Sequence, residues 1–135
     1  MTITQFFEKL NAPLANKRWS WGSVRESDGA VILRVWQDEK VKLDGRHFMQ
    51  ITHHKSYIGN EDNDGYRERN KHAELIRNGG KCYMVMCLVK DSKAEPREIK
   101  SFNLNDIFVG GEVIDRDGDT WVEFVDRIPI NQAIG

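Results

Sequence analysis

Residues Asn16–Glu39 read NKRWSWGSVRESDGAVILRVWQDE, and the fold follows from how this stretch is divided. Asp28-Gly29 is a hairpin signal, so the spacing predicts a strand over Trp19–Arg25 turning back into an apolar strand over Ala30–Gln37. The same stretch sets Trp19 and Trp21 beside Lys17, Arg18 and Arg25. Flat, rigid rings next to positive charge suit nucleobases and phosphates. Tryptophans also plug the cores of small β-rich domains, which is the plainer reading of the pair. Residues two apart in a strand share a face. Both rings therefore point the same way unless Gly22 marks a bulge that turns one aside, and the expectation is one ring partly exposed beside Arg18 with the other buried.

Working outward, Thr2 and Gln5 have capping-box spacing ahead of the stripe Ile3, Phe6, Phe7 and Leu10, giving a helix over Thr2–Leu10 that Pro13 ends. Asp44-Gly45 marks a turn before an alternating strand at His47–Thr52. A polar loop, HHKSYIGNEDNDG, leads into a helix from Tyr66 to Asn78, stopped by Gly79-Gly80. KCYMVMCLVK, Lys81–Lys90, is apolar on both faces and belongs in the middle of the sheet. Strands at Asp106–Ile114 and Asp119–Val125 join through Asp117-Gly118. The expectation is a single α+β domain spanning residues 1–135. Its mostly antiparallel sheet is curled, or forms a partly open β-barrel with two flanking helices. The helix Tyr66–Asn78 would lie across one opening, and Val31, Leu33, Val35, Val85, Cys87 and Val122 would form the core.

With 135 residues the chain can bury its own core. Charged residues make up 30% and the net charge is −1, so any basic face must be local. Cys82 and Cys87 are five apart in a strand and point to opposite faces, which excludes a mutual disulfide and suits reduced, buried thiols. No apolar run approaches membrane-spanning length and the N-terminus has no signal-peptide pattern, so the expected location is cytoplasmic, with no membrane partner.

Three catalytic or metal patterns can be read from residue spacing. Asn60, Asp62 and Asp64 with Gly65 resemble half a calcium loop, but the twelfth position is Lys71, where a bidentate carboxylate is required. His54, Asn63 and His72 have the His-x8-Asn-x8-His spacing of a ββα-metal (HNH) nuclease. There is no room for the second strand of that finger, and Lys55 stands where an acidic ligand is needed. Asp91 with Glu98-Ile99-Lys100 gives the PD-(D/E)xK pattern at too tight a spacing. No cofactor or metal is expected. The remaining reading is binding: Arg18, Trp19, Trp21, Arg25, His53, His54, Lys55, Tyr57, Arg67, Arg69 and Lys71 would form an aromatic pocket with a basic rim. Two unrelated solvated faces would explain the same residues.

The segments RWSWGSVRESDGAVILRVWQDE, GYRERNKHAELIRNGGKCYMVMCLVKD and PREIKSFNLNDIFVGG resemble the PUA/SRA/EVE-like readers of modified bases, as found ahead of HNH modules in modification-dependent restriction proteins. That resemblance implies a β-barrel with flanking helices and a pocket for a modified nucleotide. No nuclease module follows in this chain, so it implies a stand-alone reader, or one whose nuclease or effector is a separate chain. Nucleic acid, DNA rather than RNA, is the expected partner. The two rivals are a metal-dependent nuclease using His54, Asn63 and His72, and a protein-interaction accessory factor of phage or mobile-element origin.

Overall fold

A computed structural model describes all 135 residues. Two α-helices, α1 (Ile3–Lys9) and α2 (Asp64–Arg77), accompany eight strands: β1 (Gly22–Val24), β2 (Val31–Trp36), β3 (Lys40–Leu43), β4 (Arg46–Thr52), β5 (Cys82–Val89), β6 (Ile99–Phe102), β7 (Asp106–Arg116) and β8 (Asp119–Pro129). They form one mixed, mostly antiparallel sheet in the order β1-β2-β5-β7-β8-β4-β3, with β6 pairing the far end of β5. The fold is α+β, as expected. The parallel pair β2–β5, running from Val31 opposite Cys82 to Trp36 opposite Cys87, was not foreseen. Two strands, β3 and β6, were also unmarked in the sequence reading.

Local chemistry accounts for the boundaries. The Thr2 hydroxyl accepts from the Gln5 amide while the Gln5 side chain accepts from the Thr2 amide, closing the capping box of α1. Asp44-Gly45 and Asp117-Gly118 both hold positive φ at both residues, the conformation of tight hairpin turns. Asn63 caps α2, its carboxamide oxygen accepting from the Tyr66 amide 3.0 Å away.

The sheet curls until β2 and β4, which are not ladder neighbours, lie against each other. It does not close into a barrel. Inside the curl, Val31, Leu33, Val35 and Val122 pack with Met49, Ile51, Met84, Phe108 and the α2 residues Ala73 and Ile76. On the outer face, Ile32, Val85 and Cys87 pack with Phe6, Phe7 and Leu10 of α1. The six expected core residues are all buried, but they serve two cores on opposite sides of one sheet. Cys82 belongs to the inner cluster and Cys87 to the outer one, and both are free thiols. Burial pushes them up to about 12 and about 11, so they are inert at neutral pH.

Candidate binding pocket at the seam of the sheet

Where β2 runs past the end of β1 and β4 runs past the end of β3, the two strands leave backbone carbonyls that no strand pairs. Arg69 of α2 satisfies them. Its guanidinium donates to the carbonyls of Ile51 on β4, Arg34 on β2 and Trp21 just ahead of β1, at 2.6, 3.0 and 2.9 Å. The side chain is 4% exposed and has no carboxylate partner. Its burial and the charge of Arg34 lower it to about 10, which still leaves it a cation at neutral pH.

Beside this brace lies a cavity of about 280 Å³. Trp21, Trp36 and Tyr57 supply aromatic walls, and Arg34, Glu39, His53 and Glu95 are among its polar groups. Tyr57 stacks on Tyr66 with centroids 4.7 Å apart, and Trp21 leans on Tyr57 at 5.8 Å. Trp36 lies under the Arg97 guanidinium, itself held by two bonds to Asp38 at 2.9 and 2.7 Å. His53 Nε2 sits 2.7 Å from Glu39 Oε2.

Three polar atoms in this lining have no partner: Arg34 Nε, Glu39 Oε1 and Arg69 Nε. Arg34 makes no side-chain hydrogen bond or ion pair, and its Nε is buried. Glu39 Oε1 is also buried and unpaired. Burial without compensation pulls Arg34 down from the ordinary arginine value. Buried polar groups are nearly always satisfied, so an open donor and an open acceptor in one cavity suggest a ligand that completes them.

Of the expected site residues, Trp21, His53, Tyr57 and Arg69 line this cavity. Trp19 does not. It stands over a shallow depression on the other flank of α2, with Asp64, Arg67, Glu68 and Lys71. The two tryptophans diverge because β1 starts only at Gly22, so strand alternation does not govern them. Both are half-buried; the expectation of one buried and one exposed ring fails for the same reason. Trp21 packs so closely on Gly65 that a Cβ there would stand 2.6 Å from the indole.

Arg25 leaves the rim altogether. It is 2% exposed, paired with Asp28 at 2.9 Å through two parallel bonds, and donates to the carbonyls of Leu10 and Ala133. Arg18, Lys55, Arg67 and Lys71 are exposed and form no ion pair.

The residues of the nuclease reading have separate tasks. His54 is tied between the Tyr66 hydroxyl (2.6 Å) and Thr120 Oγ1 (2.8 Å), which in turn donates to Asp115. That direction makes His54 Nε2 the donor to Thr120. Asn63 is a helix cap, and His72 is buried on the sheet side of α2 with Nδ1 unpaired. No group of three or more His, Cys, Asp or Glu side chains is placed to hold a metal ion. Glu98 pairs with Lys90 at an exposed site, away from any carboxylate cluster.

Arg34, Trp36 and Glu39 were missed, though one signal was present. Arg34 is the only charge inside the apolar run AVILRVWQ, and a charge at the centre of a buried strand asks for a partner. No helix is long and apolar enough to cross a membrane. Comparison with known proteins gave no match: no family model fits the chain, and no curated protein or solved structure is similar to it.

Proposed function

We propose that this protein is a non-catalytic nucleic-acid-binding module that takes one exposed or extruded base into the cavity formed by Trp21, Trp36 and Tyr57. The observation that carries the reading is Arg34: a guanidinium without hydrogen bond or ion pair, set among three aromatic rings. A flat, polar, π-bearing ligand answers both features at once, because rings stack on it and the guanidinium bonds its edge. The volume lies near the lower end of ligand pockets, roughly 300–1,000 Å³, and suits one base rather than a larger cofactor. Unpaired cations at Arg18, Lys55, Arg67 and Lys71 supply candidate phosphate contacts outside the cavity. Modified bases remain the substrate class implied by the resemblance to PUA/SRA/EVE-like readers, DNA the expected polymer, and a nuclease or effector on another chain the expected partner.

The test is an anisotropy titration with single-stranded and duplex DNA, with and without a modified base, at two salt concentrations. Saturable binding that weakens with salt and falls about ten- to hundred-fold in Arg34→Met supports the reading. Absence of binding at low salt, or binding indifferent to both Arg34→Met and Trp36→Ala, overturns it.

A further inference from the structure

Resting on that reading, the cavity also carries information about which base it would accept. Two of its open polar atoms differ in kind. Arg34 Nε is a buried donor with nothing to donate to, and Glu39 Oε1 is a buried acceptor with nothing to accept from. Both line one cavity of base-like size, and the second Glu39 oxygen is already engaged 2.7 Å from His53. Arg69, another cation of the lining, has spent both terminal nitrogens on three carbonyls, which leaves only its buried Nε unpaired.

We infer that the pocket selects amino-oxo bases, guanine or cytosine, whose adjacent carbonyl and ring-nitrogen acceptors meet Arg34 and whose exocyclic amine donates to Glu39. A guanidinium fork matches two contiguous acceptors, such as O6 and N7 of guanine or O2 and N3 of cytosine. The carboxylate oxygen accepts from N2 of guanine or N4 of cytosine. Adenine has the amine but no carbonyl, so it offers the fork only separate ring nitrogens. Uracil and thymine have carbonyls but no amine, and either would set a carbonyl oxygen against Glu39 Oε1. A buried carboxylate facing a carbonyl is left unpaired and desolvated, which is how a polar site rejects the wrong ligand.

The experiment is calorimetric titration of the intact chain with the 5′-monophosphates of guanosine, cytidine, adenosine, uridine and inosine, with inorganic phosphate as competitor. Guanosine and cytidine monophosphates should bind at least about ten-fold tighter than the adenosine and uridine compounds, and inosine, guanosine without the amine, should fall about ten-fold below guanosine. In Glu39→Ala the guanosine–inosine gap should close, while Glu39→Gln, which keeps an acceptor of the same shape, should retain part of it. Equal affinity for all five, with phosphate competing against each, would mean that the pocket holds the phosphate, and the inference falls. Oligonucleotide binding that needs Arg34 yet shows no base preference would overturn the selectivity and leave the proposed function standing. If neither nucleotides nor oligonucleotides bind, both are lost.

Discussion

Arg25 and Arg34 come from one short stretch of chain, lie on neighbouring strands or their ends, and have opposite fates. Arg25 has everything a buried cation requires: a bidentate carboxylate and two carbonyls, with burial nearly complete. Asp28 answers in kind, since the Arg25 guanidinium and the Ala30 amide hold its carboxyl well below the usual carboxylate range. Arg34 has none of these partners. The first arrangement is closed and fixes the β1–β2 loop against the chain termini. The second is open and has a binding site's geometry. Charge in the interior is thus no guide to role until its partners are counted.

The contrast breaks most sharply under substitution. Arg25→Met leaves the carbonyls of Leu10 and Ala133 without their buried donor and frees Asp28 to solvent, and should cost about 3–5 kcal/mol, chiefly from the two unpaired carbonyls. Arg34→Met, which keeps an unbranched apolar stem and deletes an unsatisfied donor, should leave stability within about 1 kcal/mol or raise it. Urea midpoints of the two variants measure both; equal losses would mean that Arg34 is structural after all.

A second effect, of somewhat smaller size, concerns His72 beside Arg69. Burial first, and the Arg69 charge second, lower His72 to about 4. An unfolded histidine titrates near about 6.5, so between these values the unfolded chain binds the extra proton and the folded one does not. Stability from this residue is therefore complete above about pH 6.5 and declines as pH falls toward 4, by up to about 3 kcal/mol. Denaturation of His72→Leu across that window should show a flatter profile than the parent. An identical slope would assign the acid sensitivity to other groups.

The next prediction leaves stability and reads binding alone. Trp36→Ala should weaken oligonucleotide affinity by about 1–3 kcal/mol, the cost of one stacked base. Trp19→Ala, outside the cavity, should change it less; the reverse order would move the site to the depression beside Arg67 and Lys71. Smallest of all, Gly65→Ala should shift Trp21, because the added methyl has no room against the indole. A blue or red shift in tryptophan emission, with a binding loss of a few-fold or less, is the expected signature.

Much of this architecture could be read from the chain because it is local. Asp-Gly pairs need only their own backbone to form turns, and the capping box of α1 needs only four residues. Both were legible, as was the apolar strand β5. What escaped reading depends on distant partners. Nothing near Val31 says that it will lie parallel to Cys82 rather than beside its own hairpin neighbours alone. Strand alternation does not govern Trp19 and Trp21, because β1 begins only at Gly22 and the chain ahead of it is still turning. Arg25 was placed on a rim because an arginine beside tryptophans looks solvent-facing until Leu10 and Ala133, far away in sequence, close over it. Of the pocket, the walls Trp21 and Tyr57 were legible as aromatics in basic surroundings. The open Arg34 was not weighed, since its significance lies in a partner that is missing.

The parallel pairing of β2 with β5 also sets the order in which the molecule can be assembled. Parallel neighbours cannot be joined by a tight turn, and here the crossover carries β3, β4 and α2 before β5 returns to β2. Contacts so distant along the chain close late and slow the search, because the loop entropy must be spent before the pairing rewards it. Pulse-labelled hydrogen exchange should accordingly find the β7–β8 and β3–β4 hairpins protected first, and the amides of Ile32–Val35 and Tyr83–Met86 protected together and last. Most of the cavity's lining precedes β5 in the chain, yet β2 and β4 are joined through the sheet only by way of β5, β7 and β8, so a nascent chain is expected to gain its ligand pocket only after the long return strand has docked.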